Sequence, residues 1–391
     1  MTSSGSLPPL VEPGPPLAPA EATRYSRHLL IPGIGAAGQR RLRNARVLVI
    51  GAGGLGSPIL MYLAAAGIGT LGVVEFDDVE LSNLQRQVIH GESGIGRPKG
   101  ASARDAIREL NPGVEVRWHD VRLSPRNAVN IFRQYDLILD GTDNFATRYL
   151  VSDAAVLAGK PCVWGAIFRF EGQASVFWDA APDERGATYR DLFPEPPAAG
   201  TVPSCGEGGV FGALCGTIGS IMATEAIKLI TGTGDPLLGR VLVYDALAMS
   251  FRTLRLRRND AAPPVTALAD YEQLCGLPTT DVPPGAEIAP TELQDLLGTT
   301  AEPVLIDVRS EGEWALAHLP GAQWIPHTDF LSGEALARMP ADSDLVLYCK
   351  TGVRSAAALE VLRAQGFATA RHLAGGIDAW AEQIDPSLPR Y

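Results

Sequence analysis

From Arg24 to Leu256 short apolar runs alternate with segments whose apolar residues recur at helical spacing. Arg46–Ile50 predicts a strand, Ser57–Gly67 a helix and Thr70–Phe76 a second strand. Lys99–Leu110 predicts a helix that stops at Asn111-Pro112, because the residue before a proline is steered away from helical backbone. Val114–His119, Ser124–Phe132 and Tyr135–Asp140 continue the alternation, which predicts a mostly parallel sheet covered on both faces. Ala180–Ser204 is crowded with Pro, Gly and Asp and is too long for an ordinary connection, so it is read as a functional loop. An apolar helix and two strands near Leu242 and Phe251 close this unit. Asn259–Gly285 holds five prolines and no periodicity, which places a linker there. A second, smaller alternation comes after it, with strands at Val304–Asp307, Gln323–Pro326, Leu345–Cys349 and His372 and a helix at Ser355–Gln365.

Length agrees with that division, since 391 residues make two or three domains at about 150 residues each. The formal charge of −11 removes the basic footprint a nucleic-acid binder needs, and direct nucleic-acid binding is not expected. The longest uncharged stretch, Gly208 to Thr224, carries five glycines and is shorter than a membrane span, so it predicts a closely packed internal helix and no membrane partner. Residues 1–20 hold six prolines without the basic start or apolar core of a signal peptide; they predict a disordered tail and a cytoplasmic protein. The five cysteines, Cys162, Cys205, Cys215, Cys275 and Cys349, include no Cys-x-x-Cys pair, which argues against a disulfide framework or a cysteine-based zinc site.

The candidate chemistry begins at Gly51-Ala52-Gly53-Gly54-Leu55-Gly56, placed after a strand and before a helix. Gly51, Gly53, Gly54 and Gly56 allow a tight turn and close backbone approach, and the helix N-terminus offers free N–H groups to phosphate. Glu75, with Asp77 two residues on, ends the second strand where a carboxylate can accept from ribose hydroxyls. That motif alone suggests a nicotinamide dehydrogenase. Three groups of residues further along the chain point elsewhere: Ser82-Asn83-Leu84-Gln85-Arg86-Gln87, Lys99 at a helix start, and Asp140-Gly141-Thr142-Asp143-Asn144 after a strand. A triphosphate undergoing cleavage needs an Arg, a Lys and a magnesium-binding carboxylate, whereas a dinucleotide needs little cationic help. Singly, Lys99 reads as a solvated helix residue, Arg86 as a surface ion pair and Asp143 as a helix cap; together, at strand ends of one sheet, they read as a site.

The run from Arg24 to Leu256 resembles the ubiquitin-activating-enzyme-like adenylyltransferases that activate bacterial sulfur carriers for molybdopterin and thiamine synthesis. Arg24-Tyr25-Ser26-Arg27, the glycine loop, Ser82–Gln87, Thr142-Asp143-Asn144 and Glu171-Gly172-Gln173 stand in that family's order. The resemblance implies a Rossmann-like α/β domain over residues 21–258. It implies ATP bound by Gly54, Glu75, Ser82, Asn83, Leu84, Gln85, Arg86, Lys99, Asp143 and Asn144, with Mg²⁺ at Asp143. It also implies a homodimer in which Arg27 reaches the neighbouring subunit's site, and a reactive thiol at Cys205 that links covalently to the carrier. Two departures stand out. Glu75 replaces the family's usual Asp, and Ala187–Arg190 and Ala262–Val265 stand where many relatives carry zinc-binding Cys-x-x-Cys pairs, so no zinc is expected.

In the smaller domain, Leu345–Tyr348 runs into Cys349-Lys350-Thr351-Gly352-Val353-Arg354 and then a helix. Helix N–H dipoles and Arg354 would favour a thiolate or persulfide at Cys349. With Asp307-Val308-Arg309, Glu313-Trp314, His318–Ala322 and Gly375-Gly376, residues 286–391 resemble a single-domain rhodanese sulfurtransferase. The fused pair implies ATP-dependent adenylation of the C-terminal carboxylate of a small ubiquitin-like sulfur carrier ending in Gly-Gly. The adenylate would then take sulfur from a Cys349 persulfide, charged by thiosulfate or a cysteine desulfurase, to become a thiocarboxylate. The alternatives are a nicotinamide oxidoreductase fused to a rhodanese and a carrier-binding scaffold with degenerate sites; the intact Arg86, Lys99, Asp143 and Cys349 argue against the scaffold.

Overall fold

A computed structural model describes residues 7–182, 185–197, 208–274, 285–340 and 343–391. The chain divides into two compact units, the first closing at Tyr271 and the second running from Glu272 to Tyr391.

The first unit is built on eight strands: β1 Arg46–Ile50, β2 Thr70–Val74, β3 Glu115–His119, β4 Leu137–Asp140, β5 Cys162–Phe168, β6 Glu171–Phe177, β7 Arg240–Asp245 and β8 Ser250–Arg255. Their order is β3-β2-β1-β4-β5-β6-β7-β8. The first five are parallel. The last three join as antiparallel neighbours. Coverage on both faces holds for β1, β2 and β4, whose residues are almost all buried, but not for β8, exposed along its whole length. The uncharged stretch becomes part of helix Gly212–Thr231, the described helix long and apolar enough to pass for a membrane span. It is a core helix: Leu214, Cys215, Ile218 and Met222 are buried, and Gly165 and Gly172 leave the space that Met222 and Ile218 fill.

Register places the site. Ile50 pairs with Val74 on one side and Asp140 on the other, so β1, β2 and β4 end together. The segments leaving them, at Gly51, Glu75 and Gly141, therefore lie side by side at the C-terminal edge, where open α/β sheets bind ligands.

Three expectations need correction. Residues 7–18 do not behave as a disordered tail: Leu7 and Val11 are buried in the core and Leu10 N–H donates to Leu229 O at 2.9 Å. Apolar side chains spaced among prolines can dock without regular structure, which a composition argument misses. The predicted linker begins attached, because Asn259 N–H donates to Asp191 at 2.8 Å and Tyr271 is buried. The long connection contains a helical turn, Tyr189–Leu192, seated on the aromatic rings of Trp164, Phe177 and Tyr149. Cys205 and Cys275 lie outside the described residues.

The second unit is a five-stranded parallel sheet in the order β11-β10-β12-β13-β9, with β9 Glu287–Ile288, β10 Val304–Asp307, β11 Gln323–Trp324, β12 Leu345–Tyr348 and β13 Arg371–Leu373. The central β12 is wholly buried and delivers Cys349 at its C-terminal end, ahead of helix Val353–Ala364.

Candidate functional site

The glycine loop is as tight as its sequence suggests. Gly51 adopts φ +88°, a region that costs a side-chain-bearing residue strain, and a Cβ on Gly56 would collide with the Gly51 carbonyl. The helix Gly56–Ala66 starts at once; Ser57 N–H donates back to Gly53 O at 2.9 Å, Ile59 N–H to Leu55 O at 3.4 Å, and Pro58 carries no N–H, so the Gly53-Gly54-Leu55-Gly56 amides are the ones placed to meet a ligand.

Two buried side chains hold the loop. Glu75 Oε2 accepts the Ala52 N–H at 2.9 Å, while Oε1 accepts from Phe76 and Asp77 N–H at 2.9 and 3.0 Å. His90 Nε2 lies 3.0 Å from Ala52 O and its Nδ1 lies 3.0 Å from Ser102 Oγ. A carbonyl only accepts, so Nε2 carries the proton and Nδ1 accepts from the Ser102 hydroxyl. Burial drives the His90 pKa below its usual value despite the bond to Ala52, with Lys99 reinforcing the shift. The neutral ring is therefore the native form.

The segment Ser82–Gln87 packs over this loop. Atoms of Gln87 and Arg86 each lie 3.6 Å from where a Cβ would stand on Gly53 and Gly54 respectively. Arg86 Nη1 donates to Ser82 O at 3.1 Å, Ser82 donates to Glu80 at 3.2 Å, and Asn83 is buried with its amide oxygen accepting from Glu80 N–H at 3.2 Å. Gln87 is buried beside the loop and its Oε1 has no hydrogen-bond partner. An orphaned buried amide next to a glycine cradle fits a site shaped for a polar ligand. Lys99 is 7% exposed and its ammonium lies 3.2 Å from Asp77 Oδ2, so it is not a solvated helix residue. The helix cap after β4 is Asn144, whose Oδ1 accepts the Thr147 N–H at 2.9 Å. Asp143 is left exposed at the sheet edge, while the buried Asp140 accepts from Thr142 N–H and hydroxyl at 3.0 and 2.6 Å. Among the described residues no three His, Cys, Asp or Glu side chains cluster as a metal cage. One carboxylate is still an adequate protein ligand for Mg²⁺, which keeps most of its coordination for phosphate and water. Arg27 sits exposed on the short helix Ser26–Leu29.

In the second unit Cys349 is 1% exposed, and its Sγ accepts from Gly352 N–H at 3.1 Å and from Ser355 Oγ at 3.5 Å. Gly352 at φ +102° turns that N–H inward. The Arg354 guanidinium forms a two-pronged pair with Glu313 at 2.7 and 2.8 Å, closing the loop against the helix Glu311–Leu316. Burial alone would raise the Glu313 pKa, but Arg354 and the Ser310 N–H and hydroxyl outweigh it and hold it at about 2. The hydrogen bonds described at the sulfur come from a backbone amide and a hydroxyl. His90, Ser355 and Tyr391, whose hydroxyl lies 3.0 Å from Glu313, escaped sequence reasoning.

The sequence model of the ThiF family matches residues 25–265, and that of the rhodanese-like domain matches residues 289–383. The chain belongs to the ThiF family. It is 61% identical over 391 residues to the probable adenylyltransferase/sulfurtransferase MoeZ of Mycobacterium tuberculosis H37Rv, covering 99% of this chain and all of that one. It is 40% identical over 396 residues to the adenylyltransferase and sulfurtransferase MOCS3 of Culex quinquefasciatus, covering 95% and 90% of the two chains. Among solved structures, Escherichia coli MccB with ATP aligns at a TM-score of 0.53 and 20% identity over 62% of this chain and 74% of that one, a likeness of fold. This ThiF-family chain is an adenylyltransferase and sulfurtransferase acting on a sulfur carrier. The nicotinamide-dependent alternative is set aside, because relatives matched over nearly the whole chain carry the other activity.

Proposed function

We propose that the first unit uses ATP and Mg²⁺ to adenylate the C-terminal carboxylate of a small ubiquitin-like carrier ending in Gly-Gly. The observation that carries the reading is the common edge of β1, β2 and β4, where the glycine loop, Glu75, the Ser82–Gln87 segment and Asp143 come after strands that end in register. The loop N–H groups would receive phosphate, Glu75 would hold the loop and face the ribose, and Arg86 and Lys99 would take up charge on the triphosphate. Asn83, Ser82, Leu84, Gln85 and Asn144 would wall the nucleotide. A divalent cation held at Asp143 would add charge neutralisation. A carrier carboxylate oxygen attacks the α-phosphorus as the bond to pyrophosphate breaks. Arg27 would complete the site of a second copy in a homodimer, in a cytoplasmic protein.

The outer sulfur of a Cys349 persulfide, charged by thiosulfate or a desulfurase, then attacks the acyl carbon and AMP leaves. Cys205 thiolate attacks Cys349 sulfur in the resulting acyl disulfide, releasing the thiocarboxylate and leaving a Cys205–Cys349 disulfide that an external dithiol reduces. The nucleotide half is tested by exchange of labelled pyrophosphate into ATP, expected only with carrier and Mg²⁺. Asp143→Ala or Lys99→Ala should lower the exchange rate about a hundredfold or more, as loss of one group facing developing charge does. Exchange independent of both residues would refute the assignment.

A further inference from the structure

We infer that Tyr391 is a positioning residue of the sulfur-transfer loop, tying both ends of Cys349–Arg354 and keeping the Lys350 ammonium away from an anionic sulfur donor. The tail that carries it is seated on the second unit's own core through Leu388 and Ile384. The Tyr391 hydroxyl accepts from Arg309 Nη1 at 2.6 Å and donates to Glu313 Oε1 at 3.0 Å. Each partner matters to the loop. Glu313 is the carboxylate that grips Arg354, the loop's last residue, and the Tyr391 hydroxyl shares Oε1 with Arg354 Nη2. Arg309 is wholly buried against Asp307 at the end of β10, with Nε and Nη2 on the carboxylate and Nη2 also on Ala317 O. Tyr391 thus links a rigid strand end to the helix that closes the loop.

The same residue holds the other end. Lys350, beside Cys349, donates through Nζ to the Tyr391 main-chain oxygen, and its ammonium lies 4.7 Å from the centre of the Tyr391 ring. A cation over a phenol face gains attraction from the ring quadrupole. Lys350 is the cation nearest in sequence to the sulfur, and in this arrangement both its face and one donor are occupied. A small dianion such as thiosulfate would bind better to a freed Lys350. A loop released at both ends would lose the alignment of the Gly352 N–H with sulfur, at a cost in turnover.

The inference rests on Cys349 as the sulfur carrier, and kinetics of thiosulfate-to-cyanide transfer by the full chain separate the two. Tyr391→Ala should lower kcat about tenfold while also lowering the KM for thiosulfate severalfold, a split that removal of a positioning contact produces and partial unfolding does not. Both variants keep the main-chain oxygen, but Tyr391→Phe also keeps the ring over Lys350, so its KM should stay at the wild-type value while kcat falls to an intermediate level. Adding Lys350→Met to Tyr391→Ala should cancel the drop in KM. Rates are referred to the folded fraction, read from the amplitude of the urea unfolding transition of each variant. Unchanged KM in Tyr391→Ala, or a lower rate explained entirely by a smaller folded fraction, would overturn the inference. Thiosulfate cleavage persisting in Cys349→Ala would instead overturn the sulfur-carrier reading beneath it.

Discussion

A single peptide unit shows how residues outside a motif decide its shape. Ala52 has its N–H taken by Glu75 and its carbonyl by His90, with all three residues buried. The glycines permit the turn, and these two side chains select it. Glu75→Gln leaves one acceptor oxygen where two are used and turns an amide NH₂ toward backbone N–H groups. His90→Ala leaves the Ala52 carbonyl and the Ser102 hydroxyl without partners. Each should weaken ATP binding about tenfold, measured by calorimetry, in line with the 1–3 kcal/mol cost of an unsatisfied buried group. Burial of His90 also sets a pH dependence. A histidine whose folded pKa is depressed binds its proton more readily when unfolded, so its share of stability is present above the ordinary value of 6.5 and is lost as pH falls below it. His90→Ala should therefore flatten the loss of stability on acidification below that value in urea titrations; an unchanged slope would show that His90 does not titrate on unfolding. The glycine loop and Glu75 were legible because their spacing is local. His90 was not, because it lies in the apolar run Val88-Ile89-His90 and meets Ala52 only through the fold.

At the scale of an element, the segment Ala187–Arg190 shows what stands where many relatives would have zinc-binding cysteines. Ala187 pairs with Trp178 through an N–H to carbonyl bond of 2.8 Å, and Tyr189 inserts among Trp164, Phe177, Tyr149 and Phe193. Arg190 donates to Asp153 at 2.8 and 3.0 Å, and the Tyr271 hydroxyl donates to the same carboxylate at 2.7 Å. Asp153 thus fastens two chain segments 81 residues apart, Arg190 and Tyr271, onto helix Phe145–Ala158. Asp153 is buried and Arg190 partly exposed, so Asp153→Ala, which takes the acceptor from both Arg190 and Tyr271, should destabilise the first unit by about 2 kcal/mol in chemical denaturation. Tyr271→Phe, which deletes one neutral donor, should cost about 1 kcal/mol. Elemental analysis should find far less than one zinc per chain, and a chelator should leave the unfolding midpoint unchanged; stoichiometric zinc would refute the reading of these positions. Strand and helix alternation was legible here because β1, β2 and β4 are short apolar runs between clear breakers. The docking of residues 7–18 and 259–271 was not, because Leu7, Val11 and Tyr271 are isolated anchors in proline-rich or polar surroundings, with no period to betray them.

For the whole molecule, joining an adenylating unit to a sulfur-carrying unit raises the local concentration of persulfide at the activated carboxylate. The proposed scheme puts the two thiols in different steps, and variants should separate them. There Cys349 would carry the sulfur atom, so Cys349→Ala should leave ATP–pyrophosphate exchange near normal. The same change should abolish thiosulfate cleavage and nearly abolish thiocarboxylate formation. In the same scheme Cys205 would enter only after sulfur has reached the carrier, in competition with any external dithiol. Cys205→Ala should spare exchange and thiosulfate cleavage and depress thiocarboxylate yield, with added dithiol restoring part of it. The double variant should be no worse than Cys349→Ala, because residues acting in one sequence of steps do not contribute additively. Mass spectrometry of the carrier reads the result, since exchanging the C-terminal oxygen for sulfur through the acyl intermediate adds about 16 Da. If Cys349→Ala still yielded that shifted carrier from thiosulfate at the normal rate, the rhodanese unit would not be the source of the sulfur. The two units would then share a chain without sharing a reaction.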